Sequence, residues 1–161
     1  MTEDDIRALA KAVLEGCRSR GLMLATAESC TGGLIAATLT AIAGSSDVVD
    51  RGFVTYSNLA KTEMLGVPAE LIAAVGAVSE AVAARMAQGA VECSRADIAV
   101  SVTGIAGPGG GSPGKPAGLV WFGLRRRDRP PVTSHRIFPG DRAAVRRATV
   151  AEALRMLLRA L

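Results

Sequence analysis

The stretch Thr26-Ala27-Glu28-Ser29-Cys30-Thr31-Gly32-Gly33 constrains this chain more than any other, because one hydrophobic pattern ends in it and a different one begins. Leu22 to Ala25 reads as a short buried strand, whereas Leu34, Ile35, Thr38, Leu39 and Ile42 recur at helical spacing until Gly44 stops them. Ser29 is thereby placed at a strand-to-helix junction. Helix starts carry unpaired N–H groups and the positive end of the helix dipole, and Gly32 and Gly33 let a ligand come close to the backbone. A serine held there is a candidate nucleophile. The plainer reading is that Ser29 or Thr31 only caps the helix. Cys30 is a rival nucleophile, since a helix start would lower the pKa of its thiol.

The rest of the chain continues the alternation of strands and helices. Thr2 with Asp4 and Asp5 opens a helix whose face is Ile6, Leu9, Val13, Leu14 and Cys17, ending near Gly21. Val48 to Ser57 reads as a strand interrupted at Asp50-Arg51-Gly52, with Phe53 to Ser57 as its clearest part. A short helix over Asn58 to Leu65 carries Lys61. A break at Gly66-Val67-Pro68 leads to a second helical segment that ends at Val75, and Ser79-Glu80 starts a longer helix. Ile98 to Thr103 is a buried strand running into a glycine- and proline-rich loop. Gly118 to Leu124 and Val132 to Phe138 form a hairpin, and Asp141 caps a final helix. This order predicts a three-layer α/β/α sandwich with a mixed, mostly parallel sheet, in one domain over residues 1–161.

Composition narrows the partners. No apolar run approaches the roughly 20 residues of a membrane span, and the acidic start Met1-Thr2-Glu3-Asp4-Asp5 is unlike a signal peptide, so a cytoplasmic protein without a membrane partner is expected. Three cysteines without a C-x-x-C spacing support neither a disulfide framework nor a zinc site. The formal charge of +4 is concentrated in arginines after Leu124, yet one Trp, one Tyr and three Phe offer little stacking surface for nucleic acid. A small phosphorylated ligand would need only one or two of those arginines.

Several forms of chemistry lack residues to carry them. Gly109-x-x-x-x-Gly114-Lys115 matches most of a Walker A loop, but Pro116 stands where the Ser or Thr belongs and a strand follows instead of a helix. His135, the only histidine, sits at an alternating strand position with no triad partner in view, and no metal-ligand spacing occurs. A base must then be a lysine, because arginine does not release its proton. Lys11 lies in the packing helix and Lys115 in the glycine loop, which leaves Lys61 as the lysine placed to meet Ser29 across neighbouring strand ends. A Ser–Lys pair is a known variant of the Ser-His-Asp scheme.

The motifs Ala27-Glu28-Ser29-Cys30-Thr31-Gly32-Gly33, Gly44-Ser45-Ser46, Arg51 to Asn58, Gly76-Ala77-Val78-Ser79-Glu80, Thr103 to Pro108 and Gly140-Asp141-Arg142 follow one another along nearly the whole chain. Together they resemble the C-terminal domain of the CinA (competence/damage-inducible) family and, within it, the stand-alone PncC-type amidohydrolases. The resemblance implies hydrolysis of the carboxamide of nicotinamide mononucleotide, without metal or cofactor, by a Ser–Lys pair falling on Ser29 and Lys61. It also puts Tyr56 and Thr103 at active-site positions and Arg142 at one suited to phosphate. Arg146, one turn further along the same helix, would face the same anion. Thr31, Gly32, Gly33, Ser46, Gly104 and Gly107 are expected to contact substrate, and a homo-oligomer, a dimer in particular, is expected. The competing expectation is a non-catalytic module that holds a pyridine nucleotide or another phosphate ligand on the same loops.

Overall fold

The computed structural model describes residues 1–161. Helix α1 (Glu3–Arg20) opens with a reciprocal capping box between Thr2 and Asp5 and closes on Gly21 in the left-handed conformation. There follow β1 (Leu24–Glu28), α2 (Leu34–Thr40), a 3₁₀ turn (Ser45–Asp47), β2 (Val49–Val54), α3 (Asn58–Leu65), α4 (Ala69–Val75), α5 (Glu80–Glu92), β3 (Ile98–Gly104), β4 (Leu119–Arg126), β5 (Val132–Ile137) and α6 (Arg142–Arg159). The side chains of Ser79 and Asp141 cap α5 and α6, as expected from sequence, and that of Ser57, expected to end a strand, caps α3.

The five strands lie in the order β2-β1-β3-β4-β5. β1 is parallel to both β2 and β3, while β4 is antiparallel to β3 and to β5, so four of the five strands run one way. One face of the sheet packs against α1, α2 and α6 through a core that includes Leu14, Ile35, Val100, Phe122 and Leu154. The other face packs against α3 to α5 through Ala25, Ala27, Leu65, Met86 and Ala99. The three expected layers follow from these two cores.

Several boundaries differ from the sequence reading, and two of them border the site. β1 continues to Glu28, because Thr26 and Glu28, though polar, are wholly buried and hydrogen-bonded to each other. β2 is the open edge strand and ends at Val54; its polar stretch belongs to the strand, since Asp50 is skipped in the pairing with β1 and Arg51 resumes it. Thr55 and Tyr56 instead form the short connection into α3.

This topology determines where a site can form. From β1 the chain crosses outward to β2, and β3 returns on the other side of β1, so the carboxyl end of β1 is a topological switch point where loops part in opposite directions. Ser29 is the first residue past that end. α3 is brought to it by α5, whose Gly89 lies so close to the end of α3 that any Cβ there would overlap the Leu65 carbonyl.

Candidate active site

The residues from Ser29 to Gly33 form a turn, not the first turn of α2. The Ser29 amide donates to the Val102 carbonyl of β3 at 3.1 Å, and Gly32 N–H closes back on the Ser29 carbonyl at 3.0 Å. Gly32 and Gly33 have φ of 58° and 102°, a left-handed pair that a residue with a side chain would adopt only with strain. Neither Ser29 nor Thr31 caps the helix. Gly33 occupies the cap position, and the capping acceptor is Glu28, whose carboxylate takes the amides of Ile35 at 2.9 Å and Ala36 at 3.0 Å. Thr31 Oγ1 donates to the same carboxylate at 2.6 Å. The start of α2 is therefore occupied from within, which corrects the expectation of a free anion site there. The amides of Cys30 and Thr31, by contrast, donate to no oxygen of the protein, the Cys30 N–H facing only its own thiol.

Lys61 comes to the turn from α3. It is 1% exposed, and its Nζ lies 2.9 Å from Ser29 Oγ, 2.9 Å from the Thr55 carbonyl and 3.3 Å from the Tyr56 carbonyl. Burial lowers its pKa from the usual 10.5, against a small opposing influence of Cys30. No neighbouring arginine takes part in that shift. The geometry also fixes how a neutral amine would be bonded. Its two N–H groups suit the two carbonyls, which can only accept, and its lone pair is then left for the Ser29 hydroxyl proton.

Cys30 does not have the lowered pKa expected of it. Burial pushes its thiol up to about 11, helped by the charge of Glu28 and opposed by Arg146 and Lys61 among others. A thiol in that state is a poor nucleophile at neutral pH.

The remaining expected residues separate into those near the turn and those held elsewhere. Arg142 donates to the carbonyl of the buried Gly107 at 3.0 Å and to Tyr56 Oη at 3.2 Å, so Arg142 and the 63% exposed Tyr56 form an exposed rim anchored on Gly107. Arg146 does not share an anion position with it. Its guanidinium donates to the carbonyls of Cys30 at 3.2 Å and Thr31 at 3.0 Å. Thr103 is buried and donates to the Ala77 carbonyl at 2.9 Å, tying β3 to the segment before α5. Gly104 pairs with Val120, where a Cβ would crowd the Leu119 carbonyl, so packing alone accounts for that glycine. Ser46 is not brought to Ser29 in the same chain: it precedes β2, whose Val49 pairs with Leu24 at the opposite end of β1. Two cavities of about 580 Å³ each have neither Ser29 nor Lys61 in their walls, so contact geometry marks the chemistry.

Sequence reasoning missed Glu28 and the Thr55 carbonyl. A glutamate directly before a candidate nucleophile and six residues ahead of a helical run could have signalled the first. A backbone carbonyl carries no sequence signal.

Comparison with known proteins shows the family and the fold. The profile of the CinA C-terminal domain family matches residues 6–161. The nicotinamide-nucleotide amidohydrolase PncC of Escherichia coli K12 is 50% identical over 157 residues, an alignment covering 98% of this chain and 95% of that protein. A CinA-like protein of Mycolicibacterium gilvum is 55% identical over 141 residues, 88% of this chain but 33% of that longer protein. Among solved structures, the competence/damage inducible protein CihA from Agrobacterium tumefaciens superposes with a TM-score of 0.94 at 53% identity, covering 96% of this chain and 94% of that one.

Proposed function

Because the chain belongs to the CinA C-terminal domain family, we propose that it hydrolyses the carboxamide of nicotinamide mononucleotide to nicotinic acid mononucleotide and ammonia, with Ser29 as nucleophile and Lys61 as general base. The observation that carries the chemical part is the 2.9 Å contact between Lys61 Nζ and Ser29 Oγ, two buried side chains, with burial lowering the lysine pKa. Neutral Lys61 takes the hydroxyl proton as Oγ attacks the amide carbon. The oxyanion that forms is received by the amides of Cys30 and Thr31. The resulting ammonium passes its proton to the leaving nitrogen, the C–N bond breaks, and ammonia departs from a Ser29 acyl-enzyme. Lys61, neutral again, takes a proton from the water that attacks the ester and returns it to Ser29 Oγ as the acyl C–Oγ bond breaks, and nicotinic acid mononucleotide leaves.

Arg142 on the exposed rim is the phosphate ligand in this reading, and Tyr56, to which it is bonded, borders the same opening. The resemblance supports two further parts of the proposal, a cytoplasmic location and a homodimer; no helix is long and apolar enough to cross a membrane. The test is ammonia release from nicotinamide mononucleotide by the purified protein, with Ser29→Ala as control. Tight binding of the mononucleotide without ammonia release would favour the binding-module alternative and overturn the enzymatic reading.

A further inference from the structure

Arg146 reaches the nucleophile turn from the second turn of α6, over a sequence separation of more than a hundred residues, and binds two successive carbonyls there. In a peptide unit the C=O and the N–H attached to it are two ends of one delocalised system, so a cation bonded to the oxygen makes that N–H a stronger donor. The Cys30 carbonyl shares its peptide with the N–H of Thr31, one of the two amides beside Ser29 that donate to no oxygen of the protein. From the other side Glu28 holds Thr31 Oγ1 and the first amides of α2. The Cys30–Thr31 peptide is thus fixed from both sides and polarised from one.

We propose that Arg146 is a positioning residue that orients and polarises the Cys30–Thr31 peptide, so that its N–H, together with that of Cys30, receives the oxyanion formed on the Ser29 adduct. This role rests on the proposed Ser29 reaction. Arg146 is assigned no phosphate in it, because the edge of its guanidinium that faces the turn, Nε and Nη2, is already committed to the two carbonyls.

Arg146→Lys and Arg146→Gln distinguish the roles. Lysine keeps the charge but cannot hold both carbonyls in one plane, and glutamine removes the charge. On both the mononucleotide and its dephosphorylated riboside, kcat should fall by about 10- to 100-fold, short of the roughly 10²–10³ seen when an oxyanion donor is removed outright. KM for the mononucleotide should stay within about threefold. The affinity for an aldehyde analogue of the mononucleotide, to which Ser29 adds to form a tetrahedral hemiacetal, should fall in step with kcat/KM, while the affinity for nicotinic acid mononucleotide stays constant. A rise in KM of about tenfold confined to the mononucleotide would make Arg146 a phosphate ligand and overturn the inference. Equal losses of aldehyde and product affinity would reduce it to a structural contact and overturn it equally. Wild-type turnover is the reference: without it the Ser29 reaction fails and takes this role with it, whereas an active wild type with unaffected variants strikes the Arg146 role alone.

Discussion

Glu28 and Lys61 are charged side chains buried on either side of Ser29, 0% and 1% exposed, and the fold treats them in opposite ways. Four donors converge on Glu28, from Thr26, Thr31 and the amides of Ile35 and Ala36, and all lie within eight residues of it. Lys61 meets three oxygens and no carboxylate. Two of those oxygens are carbonyls that can only accept. The third is a hydroxyl, and it can reverse the direction of its hydrogen bond. A buried charge whose partners are all fixed holds structure in place, because moving its proton would leave donors facing donors. A buried amine with one reversible partner can exchange a proton with it.

The largest effects should come from breaking the Lys61 side. Ser29→Ala and Lys61→Met should each lower kcat by about 10⁴-fold or more, as removal of a member of a nucleophile–base pair does, while leaving the fold intact. Lys61→Arg should be equally inactive, since it retains charge without a transferable proton. Appreciable ammonia release by Lys61→Arg would remove the general-base role. The same lysine gives stability a pH dependence. With its folded pKa below 10.5, the unfolded chain binds more protons between the lowered value and 10.5, so stability rises with pH through that window and is lost as Lys61 becomes protonated on the acid side. Urea midpoints of wild type and Lys61→Met across pH should differ by this slope. Parallel curves would mean that the lysine is not perturbed.

Breaking the Glu28 side should show first in stability. Glu28→Ala strands several buried donors and should cost about 3–5 kcal/mol, read as a lowered urea midpoint. Glu28→Gln, which keeps one acceptor oxygen, should cost less. If Glu28→Ala unfolded at the wild-type midpoint yet lost all activity, the contrast with Lys61 would collapse, for the carboxylate would then be acting in the reaction.

What the sequence made legible follows the same division. Caps at Ser79 and Asp141, the stop at Gly66 and the β4–β5 hairpin were readable because each depends on residues a few positions apart, whereas Ser57, read as the end of a strand, is the cap of α3. Ser29 and Lys61 were readable as a pair once the chemistry was narrowed to lysine and the strand ends were placed side by side. The end of β1 was not, because Thr26 and Glu28 look like loop residues until the donors that compensate their burial are known. Nor was the separation of Arg142 from Arg146. Helical spacing puts them on one face, but which anion or carbonyl each reaches depends on loops contributed by β1 and β3.

Arg142 tests the exposed side of the site, outside both buried charges. Arg142→Ala should weaken use of the mononucleotide by about 10- to 100-fold, the loss of a charge-assisted contact, and barely change turnover of the riboside. That pattern is the reverse of the equal losses expected for Arg146 variants. Steady-state kinetics on the two substrates separates them, and equal losses with Arg142→Ala would make it a strut between Tyr56 and Gly107 instead of a phosphate ligand.

The smallest effect is expected at Cys30, and it is informative because this residue feels both buried charges. Glu28 raises its pKa while Lys61 and Arg146 lower it, and burial outweighs them to leave the thiol at about 11. At pH 7 only about one thiol in ten thousand would be ionised, so Cys30 should resist alkylation by iodoacetamide under conditions in which the exposed Cys93 reacts. Cys30→Ala removes a small buried side chain, and with its backbone amide retained it should change kcat by no more than about threefold. The decisive comparison is with Ser29→Ala. If Cys30→Ala were inactive and Ser29→Ala kept most of its rate, the nucleophile would be the thiol. The Lys61 contact to Ser29 Oγ would then be a packing feature, and Glu28 and Lys61 would have to be re-read as charges that set the thiol's ionisation.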